Sequence, residues 1–212
     1  MSSYDLEEQE QLAKLKAFWN DNGTAIMAAV TAVLVALAGW RLWGWYQVSQ
    51  ATQASAIYSE LQKAAGAADQ KRVRELAGTL LESHPRSIYA SFAALVSAKA
   101  HFEAGDLKTA RAQLQWVIDK AADPEVRAVA RLRLAAVLLD EKAYDEALAV
   151  LAAKDQPAAF GALFDEARGD VLRAQGKPAE ARAAYQAALG KLASGDAPGR
   201  ELIQLKLDAV GG

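Results

Sequence analysis

Cysteine is missing from all 212 residues, which excludes disulfides, thiolate metal sites and a thiol nucleophile. Its absence does not identify a compartment, because a disulfide-free domain folds on either side of a membrane. Histidine is scarce: His84 and His101 are the only two, well apart and without clustered carboxylates. His84 precedes Pro85 at a helix end and His101 falls within an apolar helical pattern, so both read as structural. No H-E-x-x-H, P-loop, G-x-G-x-x-G or G-x-S-x-G motif occurs. The carboxylate pairs Asp140-Glu141 and Asp145-Glu146 bracket a turn, where carboxylates ahead of a helix are favoured by its dipole. Catalytic residues, metal ligands and a cofactor site are all lacking, and no enzyme is expected.

Proline is also rare, and β-branched side chains are few outside one stretch. The 52% apolar content comes largely from alanine, which favours packed helices over sheets. A basic excess is missing too. Residues 47–212 carry 21 Lys and Arg against 21 Asp and Glu, and residues 1–22 carry two against five. Nothing here forms the basic stripe that phosphate backbones require, so no nucleic acid is expected as a partner.

Charge of either sign is missing from Gly23 to Trp40, and that stretch organises the chain. Residues 23–46 read GTAIMAAVTAVLVALAGWRLWGWY. As a helix they reach about 36 Å, enough to cross a hydrocarbon core of about 30 Å. The lipid affinity is modest because alanine is frequent. Ile26, Val30, Val33, Leu34, Val35 and Leu37 together contribute about −2 to −4 kcal/mol. Arg41 opposes insertion but sits near one end, where its stem can snorkel to the headgroups. Trp40, Trp43, Trp45 and Tyr46 crowd the same end, as amphipathic rings do at a membrane boundary. Two other readings compete. A buried core helix is shorter than this as a rule. A cleaved signal peptide fits Ala36-Leu37-Ala38, but the run is preceded by a long segment bearing Asp5, Glu7, Glu8, Glu10 and Asp21, where a short basic start is required. A membrane anchor is the preferred reading. Lys14, Lys16 and the α-amine flank it on one side; on the other, nothing basic follows Arg41 until Lys63. This bias places the N-terminus in the cytoplasm and the larger part outside.

Residues 5–19 read as a short amphipathic helix with Leu12, Leu15, Phe18 and Trp19 on one face and a Glu10–Lys14 pair. It either rests on the headgroup layer or docks a partner. Asn20-Asp21-Asn22-Gly23 supplies signals to end this helix and cap the next. Beyond Tyr46 there is no glycine until Gly66, so the spanning helix is expected to continue as a stiff stalk.

The remainder repeats. Three segments align on a small residue, a turn residue seven later, and an alanine five after that. They are Ala98, Gly105 and Ala110; Ala135, Lys142 and Ala147; Gly169, Gly176 and Ala181. An apolar helix precedes each turn and a second helix follows it. Two helices in a period of about 34 residues is the tetratricopeptide signature. The small residues let paired backbones approach, while Leu, Phe and Tyr, Tyr185 among them, fill the gaps. Tyr58, Tyr89 and Tyr144 recur near the same seams. A weaker unit precedes these, with Ala77 lying close to one period before Ala110. The units run about 54–83, 89–118, 125–153 and 160–190. A last helix over 199–210, opened by Asp196-Ala197-Pro198, covers the end of the stack with Leu202, Leu205 and Leu207. The fold class is all-α: one transmembrane helix over residues 23–46, then a tetratricopeptide-like hairpin solenoid within 47–212, with a C-terminal capping helix.

In this order of parts the chain resembles the YfgM-like family, the ancillary subunit of the bacterial SecYEG translocon. The motif residues are Phe18, Trp19, Asn22 and Gly23 before the span, then Gly39, Trp40, Arg41 and Trp43 at its far end. The resemblance implies a single-pass inner-membrane protein with residues 1–22 in the cytoplasm and residues 47–212 in the periplasm. The partners it implies are the SecYEG translocon, the lipid bilayer and a membrane-anchored prolyl-isomerase-like periplasmic chaperone. The expected function is a scaffold that assists exported proteins. An anchored adaptor for another envelope assembly complex is the alternative. Oligomeric state and client identity are open.

Overall fold

A computed structural model describes residues 3–192 and 197–211, and all the regular structure among them is helical. The first helix, α1, runs Ser3–Gly66. The chain divides within it into two compact units, Met1–Ala51 and Thr52–Gly212. In the first unit α1 is the single helix among the described residues long and apolar enough to cross a membrane, with a mean hydropathy of 1.9 in its most apolar window. None of that window is buried by protein. Val33, Leu34, Val35, Leu37, Trp40, Trp43 and Trp45 are all exposed, so only a lipid phase or another protein can cover them.

The expected break at Asn20–Gly23 does not occur: α1 passes through it. Asn22 turns its amide back to donate to the Phe18 carbonyl at 3.2 Å. Trp19 lies over Gly23, and a Cβ built there would stand 3.3 Å from the indole Nε1. Asn22 thus bonds along the helix it sits in instead of capping a new one.

The second unit is a row of helical hairpins. Residues 52–66 of α1 pair with α2, Gln70–Ser83. Then come α3, Ile88–Glu103, with α4, Leu107–Lys120; α5, Pro124–Asp140, with α6, Tyr144–Leu151; and α7, Gly161–Ala174, with α8, Pro178–Lys191. A 3₁₀ turn at Ala158–Phe160 precedes α7, and α9, Ala197–Ala209, closes the described chain. Asp196 lies outside the described residues.

All four hairpins turn the same way. Gly105 and Gly176 have φ of +77° and +79°, a region that costs glycine nothing. Lys142 and Ala68 hold φ of 60° and 57° at the matching places, each with a penalty of about 1 kcal/mol. In every turn the left-handed residue donates to the carbonyl three back. The next residue donates five back, as in Asp69 to Ala64 at 2.9 Å, Asp106 to His101 at 2.9 Å, Ala143 to Leu138 at 2.8 Å and Lys177 to Leu172 at 2.9 Å. These bonds satisfy the orphan carbonyls of the first helix. The unit expected over about 54–83 therefore belongs to the same repeat, whose register its turn fixes. Its first members are Leu61, Ala68 and Val73, which precede Ala98, Gly105 and Ala110 by the same interval that separates Ala98 from Ala135. An alignment on Ala77 is displaced from this register by one helical turn.

Capping differs among the turns. Asp69 accepts from Arg72 N–H at 3.0 Å, and Asp106 accepts from Thr109 N–H at 3.1 Å. The Thr109 hydroxyl and N–H hold the Asp106 carboxyl below its ordinary value, with His101 Nδ1 adding a contact at 2.9 Å. Ala143 occupies the same place without a side-chain cap. Ala143→Asp is expected to gain about 1 kcal/mol of stability, seen as a rise of about 2–4 °C in thermal midpoint.

The core forms three clusters along the row. The first joins Ala54, Leu61 and Ala64 to Val73, Leu80, Ala90 and Ala93. The middle one spans α3 to α7 through Leu114, Val117, Leu134, Leu138, Leu151 and Phe164. The last gathers Leu172, Ala181, Tyr185 and Ala188 under Ile203 of α9. Ile203 follows Gly169 by the same interval that separates Ala135 from Gly169, so α9 keeps the step of the first helices. It covers the stack with Ile203 and Leu207, joined by Val210 just past its end, whereas Leu202 and Leu205 are 50% and 62% exposed. Of the three leucines expected to cover the end, only Leu207 does so. The i, i+4, i+7 spacing from Ile203 selects the buried face.

Candidate functional site

The small residues of the repeat are buried: Ala98, Ala110, Ala135, Ala147 and Ala181 are each 2% exposed or less, and Gly169 is buried as well. The buried glycine of the set, Gly169, is pressed against Tyr185: a Cβ there would run into ring atom Cε1 and stand 2.6 Å from Cδ1. Tyr185 is fully buried, and its hydroxyl donates to Asp170 Oδ1 at 2.8 Å. Lys206 of α9 bridges Asp170 at 2.7 Å and Glu166 at 2.6 Å. This network fastens the last helix to α7.

Burial first, and then the Asp170 carboxylate, push the Tyr185 phenol well above its ordinary value of 10.0. Burial works against the Lys206 charge, but the Asp170 and Glu166 carboxylates outweigh it and hold its pKa above 10.5. Both groups bind their proton more tightly folded than unfolded. Their stabilisation is complete below the unfolded values and disappears as pH rises through the folded ones. Lys206→Met is expected to cost about 2 kcal/mol, less than a fully buried pair because the site is partly wet. Thermal melts from pH 8 to 11 check this. The parent should lose stability above about pH 10, and the variant should show a shallower loss.

Neighbouring hairpins are joined by further polar ties. Arg111 of α4 reaches Glu141 at 2.9 Å and Glu146 at 2.6 Å, and Gln175 donates to Asp145 at 3.0 Å. Glu141, Asp145 and Glu146 around the α5–α6 turn therefore act between hairpins. Tyr58 stacks at a tilt with Tyr89 and Phe92, with ring centroids 5.6 Å and 6.1 Å apart.

The most site-like surface is a groove of about 470 Å³ between α3 and α5. Ala98, Leu114 and Val137 form its floor, Ala136 its open side, and Lys99, Phe102, Glu103 and Arg133 its walls. Phe102 is 37% exposed, unusual for a phenylalanine in this unit. Arg133 donates to the Leu95 carbonyl at 3.3 Å, and Lys99 stands 3.6 Å from Glu103. Of the residues singled out in the sequence, Ala98 alone reaches this groove. The others are hidden because a groove wall carries no repeated residue type. Lys99 and Ala136 share the place just after the small residue, and that register is the available signal.

The motif residues of the first unit fall into two groups about 24 Å apart along the helix. The first four form two pairs one turn apart, Asn22 with the Phe18 carbonyl and Trp19 over Gly23. At the other end Trp40 and Trp43 are 77% and 63% exposed, and a Cβ at Gly39 would touch nothing; Trp40 and Arg41 line one shallow surface hollow. Among the described residues no group of three or more His, Asp or Glu side chains is placed to hold a metal ion.

Comparison with known proteins gives concordant matches. Residues 16–212 match the family model of a tetratricopeptide repeat-like domain. A protein of Neisseria gonorrhoeae named ancillary SecYEG translocon subunit is 36% identical over 208 residues, 97% of this chain and 98% of that protein. Proteins of the same name from Haemophilus influenzae and Escherichia coli are 28% identical over 97% of this chain and 31% identical over 85%, covering 98% and 86% of their own lengths. The chain belongs to the family of ancillary SecYEG translocon subunits and carries a tetratricopeptide repeat-like domain.

Proposed function

We propose that the chain is a non-catalytic scaffold held in the inner membrane beside the Sec translocon. In this reading α1 crosses the bilayer, residues 1–22 lie in the cytoplasm and the hairpins lie in the periplasm. There they link the translocon to a membrane-anchored prolyl-isomerase-like chaperone and assist the folding of exported chains. The supporting observation is that the likeness to proteins named for the translocon covers 97% of this chain, the apolar helix as well as the hairpins. A row of rigid hairpins also suits a scaffold, because a pre-ordered surface loses little entropy when a partner docks.

The test is recovery of partners from membranes solubilised in mild detergent. The full chain should bring down SecYEG and the chaperone in reproducible ratio. Recovery of the chain alone, even after gentle crosslinking, contradicts the proposal. Recovery with a different envelope complex replaces it with the other adaptor role.

A further inference from the structure

We propose that Arg41 and the hollow beside it hold the headgroup of an acidic phospholipid, in the leaflet where the C-terminal end of the span emerges. The proposal rests on the reading that α1 crosses the bilayer, and it adds a lipid class that this end of the span selects.

Arg41 is the only charged side chain between Asp21 and Glu60. Along an unbroken helix those two carboxylates lie about 30 Å and about 28 Å away, beyond reach of its guanidinium. No hydrogen bond or ion pair engages Arg41 among the described residues. About 20 residues cross the hydrocarbon, and counted from Gly23 they end at Leu42. The charge therefore stands where acyl chains give way to headgroups. An unmatched cation is costly there, and a phosphate is close by to match it.

The local shape suits a headgroup. Leu37, Arg41, Trp45 and Val48 follow one another along a single helical face, and with Trp40 and Gly44 they line an open hollow of about 740 Å³. Side chains on a helix lean toward its N-terminus, so Arg41 sets out toward the acyl chains and must turn back toward water. The position one turn on, in its path, is Gly44, where a Cβ would meet nothing within 4 Å. That opening lets a phosphate descend to the guanidinium, whose fork matches two of its oxygens. Trp40 and Trp45, 77% and 71% exposed, flank the site with rings suited to the interfacial layer. A zwitterionic lipid brings its own ammonium to the same place and repels Arg41. A headgroup whose only charge is the phosphate does not.

The test reconstitutes the full chain into phosphatidylcholine vesicles, with Trp19→Phe and Trp116→Phe so that emission comes from Trp40, Trp43 and Trp45. Brominated phosphatidylcholine or brominated phosphatidylglycerol is added at the same low mole fraction, and tryptophan quenching reads the local enrichment of each. Phosphatidylglycerol is expected to be enriched about fivefold over phosphatidylcholine. Arg41→Gln should bring the ratio below about 1.5. Gly44→Leu should do the same, because its side chain leans over the preceding turn and fills the opening while the charge stays. Both positions are exposed on α1, and circular dichroism confirms that the variants keep their helices. Equal quenching by the two lipids leaves Arg41 for a carboxylate on a partner helix and overturns the proposal. A preference that survives Arg41→Gln overturns it, and so does one that survives Gly44→Leu, since charge alone would then account for it. Quenching by neither lipid overturns the proposal together with the reading that α1 crosses the membrane, whereas equal quenching leaves that reading standing.

Discussion

Gly169→Ala should destabilise the hairpin unit by about 3 kcal/mol, the upper end of overpacking costs. The added methyl would stand 2.6 Å from Tyr185 Cδ1, well inside contact distance, and the tyrosine has nowhere to retreat. Its ring is fully buried and its hydroxyl is fixed to Asp170, which Lys206 holds in turn. For a unit of this size the thermal midpoint should fall by about 6–12 °C. Melting the full chain in mild detergent, followed by far-ultraviolet circular dichroism, gives the number. Ala98 and Ala135 already carry a Cβ at the equivalent places in the other hairpins, so the requirement for glycine is local to the Tyr185 pair. Tyr185→Leu should therefore recover part of the loss in the Gly169→Ala background while destabilising the parent. That sign change in the double-mutant cycle is the signature of a steric pair. Additive losses would contradict it.

The second large effect concerns the apolar helix. The aliphatic side chains of the run contribute only about −2 to −4 kcal/mol toward insertion. One arginine at the centre costs about 2.5–3.5 kcal/mol, so two exceed the whole driving force. Val30→Arg with Leu34→Arg should thus move the chain from the membrane pellet to the carbonate-soluble fraction. Val30→Leu with Leu34→Ile, which keep the apolar character, should leave it in the pellet. Both positions are exposed on α1, so neither pair of changes disturbs the hairpin core. A double-arginine variant that remained carbonate-resistant would show that something other than lipid contact holds the helix.

These two sites also show what can be read from residues alone. The span is legible because lipid selects composition: the uncharged run from Gly23 to Trp40 and its aromatic end suffice. The later hairpins are legible because Ala98, Ala135 and Gly169 mark close backbone approach by their size. The first hairpin is legible as a unit over about 54–83 but not in its register, since Leu61 and Val73 fill the positions that alanine or glycine fills elsewhere, and Ala68 adopts the left-handed turn without being glycine. Shared turn hydrogen bonds reveal its register, and those are invisible in residue type. The uninterrupted helix at Asn20–Gly23 defeats a sequence reading for a related reason. Residues that favour caps also bond within a helix when the chain on both sides is helical, as Asn22 does to Phe18. The groove escapes notice because Phe102, Arg133 and Ala136 are ordinary in sequence and become a site only when α3 and α5 lie side by side.

A chain without cysteine lends itself to a direct check of which side of the membrane each end occupies. Gln186→Cys on the exposed face of α8 and Lys16→Cys in the N-terminal segment can be probed, one at a time, with a membrane-impermeant maleimide. In intact spheroplasts the cysteine at position 186 should label at once, and the cysteine at 16 only after lysis. The reverse pattern, or labelling at 16 before lysis, would place the hairpins away from the periplasm and contradict the scaffold role proposed for them.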